Sequence, residues 1–97
     1  RRVRALGLAG QMHGAVLVDA TGRAVAPALL WPDTRATAEV TRWRALPQAE
    51  RAALANPLVP GMTGPMLAWL AGHQPAAVER AAAVLLPKDA LRAALVP

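Results

Sequence analysis

The first third of the chain has the apolar spacing of strands and tight turns. Residues 3–9 (VRALGLA) alternate loosely between apolar and polar positions and lead into glycine, which predicts a strand that enters a loop. Residues 15–19 (AVLVD) and 23–25 flank the Thr21–Gly22 pair. Because glycine supplies the positive φ of a tight turn, this stretch predicts a β-hairpin.

Two short apolar runs further along the chain are typical of buried strands. They are residues 28–31 (ALLW) and residues 83–86 (AVLL). A proline follows each run, Pro32 in the first case and Pro87 in the second. Since proline has no N–H to donate to a sheet ladder, each strand is expected to end there.

Helical spacing dominates the remaining sequence. Ala36, Val40 and Trp43 recur at helical intervals. The side chain of Asp33 or Thr34 is expected to cap the helix that contains them. Further helices are predicted to begin at Pro47, Pro65, Pro75 and Pro87. Strands followed by helices, and then by one more strand and helix, indicate a mixed α/β arrangement with an antiparallel start.

The composition limits the core that such a domain can bury. Of the 97 residues, 24 are Ala, whereas the larger apolar residues are 14 Leu, 9 Val, 3 Met and 3 Trp. A buried Leu or Val contributes roughly 1.5–3 kcal/mol against exposure, and Ala contributes far less. We therefore expect a thin core. The order of elements also lacks the alternation of a closed sheet, so we expect a piece of a larger protein.

The net charge and the residue composition limit the kinds of partner that this chain is expected to bind. The net charge of +5 and the pI of about 11.6 suit a polyanion binder, but the arginines are dispersed and no Phe or Tyr is available to stack on bases. No apolar run approaches the roughly 18 residues of a membrane span. The absence of cysteine excludes disulfides and thiolate metal sites. We expect a cytoplasmic protein without a nucleic-acid or membrane partner.

The motifs of self-contained catalysis are missing from the chain. Neither GxxxxGK[ST] nor GxGxxG occurs, and there is no serine to act as a nucleophile. His13 and His73 are far apart and lack an HExxH context, so no metal site is expected.

Two polar segments could contact a ligand. In GLAGQMHG (residues 7–14), Met12 and His13 suit a sugar or polyol, because imidazole both donates and accepts hydrogen bonds and Met packs against carbon. The alternative is a solvated loop histidine. In WPDTR, Trp31, Asp33 and Arg35 could line a carbohydrate, or they could be a core Trp and an ordinary helix cap.

Four segments in order resemble the FGGY carbohydrate kinases. They are GLAGQMHGAVLVDATGR, APALLWPDTRATAE, NPLVPGMTGPMLAWL and VLLPKDALR. Within that family, QMHG and LLPKD are most similar to the D-xylulose kinases. The resemblance implies a ribonuclease H-like (actin-like ATPase) fold with two domains and the sugar in the cleft between them. Residues 1–97 would be an internal, sugar-binding part of the N-terminal domain, with a mixed sheet and helices. The phosphate-binding loop and the C-terminal domain would lie outside it.

The same resemblance implies an activity for the parent protein. Family members transfer the γ-phosphate of ATP, with Mg²⁺, to a sugar hydroxyl, and D-xylulose kinases form D-xylulose 5-phosphate. We expect such a parent, as a homodimer with a small-molecule sugar substrate, and an isolated chain without activity. The alternatives are a kinase for L-ribulose, gluconate or glycerol, or a non-catalytic truncated remnant.

The resemblance also implies roles for individual residues. Met12 and His13 match the family dipeptide that contacts the sugar, which favours the ligand interpretation of GLAGQMHG. Gln11, Trp31, Asp33 and Arg35 lie in segments that border the same cleft. No residue of this chain matches the family's catalytic base, and none is expected to bind a metal. ATP and Mg²⁺ would be held mainly by parts of the parent outside this chain.

Overall fold

A computed structural model describes residues 2–96 and shows a chain of mixed helices and strands. In chain order the elements are β1 (Val16–Val18), α1 (Thr37–Arg44), α2 (Gln48–Ala53), α3 (Thr63–His73), α4 (Pro75–Arg80), β2 (Ala83–Leu85) and α5 (Pro87–Leu95). This order confirms the predicted helices followed by a strand and a final helix, whereas within residues 2–96 only one strand precedes the helices.

Strand β1 forms a two-stranded antiparallel sheet with β2, with Leu17 opposite Val84. Val18 also forms an antiparallel bridge to Ala24, and Ala15, just before β1, forms one to Leu29. The predicted hairpin is therefore confirmed, and Gly22 supplies the positive φ of its turn at 79°. All these pairings are antiparallel, so residues 2–96 do not form the predicted mixed sheet.

The core is small and lies between the sheet and α3. Its largest fully buried side chains are Leu29, Met66 and Leu70. Met66 and Leu70 are four residues apart on α3 and fall on one face of the helix. They pack against Ala15 and Leu17 from the sheet. The thin core predicted from the alanine-rich composition is confirmed.

Two predicted strands are not formed as expected. Residues 3–9 have no regular secondary structure, and none of their backbone groups is hydrogen-bonded to another residue of the range 2–96. A strand requires a hydrogen-bonded neighbour, and none is supplied here. In residues 28–31, only Leu29 pairs and is buried, whereas Leu30 and Trp31 are 40% and 45% exposed.

Helix starts differ from the sequence prediction at two places. Helix α1 begins at Thr37, after Ala36, and no side chain caps it. The predicted cap by Asp33 or Thr34 is wrong, because the Asp33 carboxylate binds Arg35 instead. Helix α3 begins at Thr63, two residues before the proline that was predicted to open it.

The helices that begin after proline are otherwise close to the prediction. Pro75 and Pro87 are the first residues of α4 and α5, and the residue before α2 is Pro47. No helix within residues 2–96 has the length and apolar character that would let it cross a membrane.

A close backbone approach fixes the position of the loop before α3. Gly61 is buried, and a Cβ built there would overlap the carbonyl oxygen of Trp31. The loop and the Trp31 turn can therefore touch only because residue 61 has no side chain.

We expect Gly61→Ala to lower the free energy of unfolding by about 1–3 kcal/mol, the usual cost of overpacking. Gly72→Ala is the matched control, because a Cβ there meets nothing within 4 Å. It should raise stability by up to about 1 kcal/mol, since Ala is the better helix former. Urea unfolding measures both, and equal midpoints for the two variants would contradict the close approach.

Candidate functional site

The loop that leads into β1 has an unusual backbone. His13 and Gly14 are both left-handed, with φ of 59° and 85°. His is one of the few residues other than glycine that adopt this conformation with any frequency. Gly14 is buried, and a Cβ there would lie 3.0 Å from the carbonyl oxygen of Leu29 and 3.1 Å from the ring of Pro87. The sequence at this turn is therefore restricted by conformation and by space.

Three contacts hold this loop, which we call the His13 loop (residues 11–14). The backbone N–H of Trp31 donates a hydrogen bond to Gln11 Oε1 at 3.0 Å. The Thr63 hydroxyl donates one to the Gly14 carbonyl oxygen at 2.9 Å. The imidazole of His13 stacks on the Trp31 indole, with 5.5 Å between ring centroids. The His13 loop thus contacts two segments that are distant in sequence, around Trp31 and at Thr63.

His13 lines a cavity of about 200 Å³. The other walls come from Trp43 at the end of α1, from the segment after α2, and from the first turn of α3. The Trp43 ring packs against Gly64, where a Cβ would come within 3.3 Å of it. The cavity therefore has a large aromatic wall that a side chain at residue 64 would displace.

Three residues of the cavity lining have polar side chains, namely His13, Asn56 and Thr63, and His13 lies far from the other two in the sequence. An imidazole and an amide can each donate and accept hydrogen bonds, whereas the Thr63 hydroxyl already donates its proton to the Gly14 carbonyl oxygen. The remaining lining is mainly apolar. A concave apolar surface with a few convergent polar groups is typical of a small-molecule site. Such a surface suits a ligand that carries hydroxyl groups on a carbon skeleton.

Asp33 and Arg35 are bound to each other. The Arg35 guanidinium donates from Nε and Nη2 to both carboxylate oxygens of Asp33, at 2.6–3.1 Å, and the Arg35 backbone N–H donates to Oδ1 at 2.9 Å. The guanidinium also lies over the Trp69 ring, 4.6 Å from its centroid. These hydrogen bonds hold the pKa of Asp33 below its ordinary value of 3.8 and raise the pKa of Arg35.

The six residues predicted to contact a ligand are distributed unevenly. Gln11, His13 and Trp31 form one contact cluster, and of the six only His13 lines the cavity. Met12 is 70% exposed. Asp33 faces a separate shallow groove, and Arg35 lies against Trp69. The ligand contacts of all six stay predictions.

Sequence reasoning did not select Trp43, Asn56 or Thr63 as site residues, although all three line the cavity with His13. Trp43 has the spacing of a buried helix position, and it packs on Gly64. Thr63 is the first residue of α3 and follows a Pro- and Gly-rich stretch, but its partner Gly14 is 49 residues away. Nothing in the sequence indicates that long-range contact.

The Lys88–Asp89 pair lies at the start of α5 and has a structural role there. Asp89 lies in the first turn of α5, where a carboxylate complements the helix dipole, and Lys88 Nζ binds its Oδ1 at 2.8 Å. Across residues 2–96, no three His, Asp or Glu side chains are grouped as a metal site would require.

We expect Asp33→Asn to lower stability at neutral pH by about 0.5–1 kcal/mol, because water around the half-exposed Arg35 screens the pair. The folded-state pKa of Asp33 is depressed, so its contribution is present above the ordinary value of 3.8 and is lost as pH falls through the folded-state pKa. The stability difference from the unmodified protein should therefore shrink in acid.

Unfolding in urea at a series of pH values measures this dependence. Glu50→Gln is the control, since Glu50 makes no hydrogen bond or ion pair within the described part of the chain. A stability difference for Asp33→Asn that stays constant into strong acid would contradict the role of the ion pair.

Comparisons with known proteins agree along almost the whole chain. The model of the N-terminal domain of the FGGY family of carbohydrate kinases matches residues 1–96. Xylulose kinase from Escherichia coli K12 is 47% identical over 90 residues, and that from Klebsiella pneumoniae is 42% identical over 92 residues. These alignments cover 93% and 95% of this chain and 19% of each relative.

Solved structures give the same result. A xylulose kinase from Brucella ovis superposes with a TM-score of 0.76 at 47% identity, over 86% of this chain and 17% of that one. A xylulose kinase from Bifidobacterium adolescentis gives 0.78 at 30% identity, over 93% and 21%. This chain spans about a fifth of the length of these relatives. By its sequence and its fold, the chain belongs to the FGGY family of carbohydrate kinases.

Proposed function

We propose that this chain is the sugar-binding part of the N-terminal domain of a longer kinase that phosphorylates D-xylulose. In this proposal the His13 imidazole binds a sugar hydroxyl at the cavity, and the γ-phosphate of ATP is transferred to give D-xylulose 5-phosphate. The observation that carries it is the left-handed His13 on the cavity wall, in a chain whose relatives are named xylulose kinases.

The chemistry of the cavity supports a sugar rather than a flat or charged ligand. Trp43 offers an apolar face to the carbon skeleton, and His13 and Asn56 offer hydrogen-bonding groups to hydroxyls. No Asp, Glu, Lys or Arg side chain lines the cavity. A neutral polyol therefore matches this lining better than an acid such as gluconate, which would require a cationic partner.

The size of the cavity supports a shared site. Ligand pockets commonly enclose roughly 300–1,000 Å³, whereas this cavity holds about 200 Å³. We therefore infer that this cavity is one side of a larger cleft, and that another part of the parent protein supplies the opposite side. This division agrees with the fraction of the relatives that the chain covers, about a fifth.

Phosphoryl transfer depends on placing a nucleophilic hydroxyl, the phosphates and the metal together. Within residues 2–96 there is no grouping of three side chains suited to Mg²⁺, and the sequence has no glycine-rich phosphate loop. The residues in hand do not fit ATP or Mg²⁺, so we assign none of them to these groups. The contribution of this chain is to bind and orient the sugar.

We expect the full-length kinase to prefer D-xylulose over L-ribulose, glycerol and gluconate in a coupled phosphorylation assay. His13→Ala should raise the KM for D-xylulose about tenfold or more, because it removes the proposed hydrogen bond to the sugar, and should leave the KM for ATP unchanged. His13→Gly keeps the left-handed backbone free of strain and should give the same loss.

His73→Ala is the matched control for this experiment. Both histidines stack on a tryptophan, but His73 lies at the end of α3 and does not line the cavity. Its replacement should leave the KM for D-xylulose unchanged. A normal KM in His13→Ala, or an equal increase in both variants, would refute the proposed role of His13.

We also expect the isolated chain of 97 residues to show no D-xylulose-dependent turnover of ATP. The reason is that it supplies one wall of the sugar site and no group assigned to the phosphates. The same coupled assay tests this expectation, with the full-length kinase as the positive control. Any sugar-dependent ATP turnover by the purified chain would contradict the proposal that the groups for phosphoryl transfer lie elsewhere in the parent protein.

A further inference from the structure

We propose that Thr63 is a positioning residue that orients His13 toward the sugar without reacting with it. The Thr63 hydroxyl binds the carbonyl oxygen of Gly14, the residue directly after His13. This bond holds the left-handed turn that directs the imidazole into the cavity. The inference rests on the proposed function of His13 and goes beyond it, because it assigns a role to a second residue.

The backbone of His13 needs such support. A left-handed conformation is unfavourable for an L-residue with a side chain, and it persists only where the surroundings enforce it. At His13 the φ is 59°, and at Gly14 it is 85°. The hydrogen bond from Thr63 to the Gly14 carbonyl acts directly on the peptide unit that follows this turn.

Thr63 is well placed to supply this support. It is the first residue of α3, a helix fixed in the core by Met66 and Leu70, both fully buried. Its branched side chain has restricted rotamers, so the hydroxyl direction follows from the helix position. The donor is therefore carried by one of the best-anchored elements of the chain, and the bond of 2.9 Å is partly buried.

The other contacts of the His13 loop act on different atoms. Gln11 accepts a hydrogen bond from the Trp31 backbone, and the His13 ring stacks on the Trp31 indole. Both of these contacts join the loop to the Trp31 turn. Thr63 makes the only hydrogen bond between the loop and α3 within residues 2–96. Its loss would leave the turn without a hydrogen bond to α3.

The test uses the full-length kinase and a double-mutant cycle of Thr63→Val and His13→Ala. Thr63→Val removes the donor at similar volume and should raise the KM for D-xylulose about three- to tenfold, with the KM for ATP unchanged. Thr63→Ser keeps the hydroxyl and should behave like the unmodified enzyme. In the His13→Ala background, Thr63→Val should have no further effect on the KM for D-xylulose, because the residue through which it acts is gone.

Thr37→Val is the matched control. The Thr37 hydroxyl also donates to a backbone carbonyl, that of Thr34, but it lies away from the cavity. Its loss should leave the KM for D-xylulose unchanged. If Thr63→Val fails to give a folded enzyme by circular dichroism, Thr63→Ala takes its place in the cycle.

The outcomes separate the two proposals. If His13→Ala leaves the KM for D-xylulose unchanged, the proposed function fails and the inference fails with it. If His13→Ala raises that KM but Thr63→Val does not, Thr63 has no positioning role. If the two effects add fully in the double variant, Thr63 contacts the sugar directly and independently of His13, and the positioning role is refuted while the function stands.

Discussion

Three parts of the chain meet at Gly14, and the arrangement of the candidate site depends on that meeting. The Leu29 carbonyl and the Pro87 ring leave no room for a side chain there, and the Thr63 hydroxyl binds its carbonyl oxygen. Gly14, which has no side chain, is thus contacted by the sheet, by the start of α5 and by the start of α3. Because the turn is fixed by these neighbours, the orientation of His13 is determined by packing at some distance from its own side chain.

Local signals predicted much of the fold and little of its long-range pairing. Gly22 marked the hairpin turn, and Pro75 and Pro87 marked the helices that they begin, because turns and helix starts depend on a few adjacent residues. The cap of α1 could not be predicted, because a carboxylate such as that of Asp33 can bind either helix N–H groups or a nearby guanidinium. It binds the guanidinium of Arg35, and no side chain caps α1. Residues 3–9 have the pattern of a strand, but pairing requires a neighbour that no local pattern can reveal.

The candidate site was likewise predicted only in part, since local sequence signals indicated one of its residues and not the neighbours of that residue. His13 stood out in the sequence because it lies between glycines in a segment with a family resemblance. Trp43, Asn56 and Thr63 line the cavity with it, yet each of them lies at least 30 residues further along the chain than His13. Their proximity arises from how α1 and α3 pack, and packing is decided by the whole core rather than by any one segment. A sequence can therefore indicate which loop to examine, while the identity of its neighbours requires the fold.

Helix α3 holds both sides of the candidate site. Thr63 at its first residue binds the His13 loop, and Trp69, nearly two turns further on, lies beneath Arg35 in the segment that follows Trp31. Helix α3 therefore connects the His13 loop with the segment that contains Arg35. A displacement of α3 as a unit would act on the His13 loop through Thr63 and on Arg35 through Trp69 at the same time. The two segments are linked mechanically as well as by the stacking of His13 on Trp31.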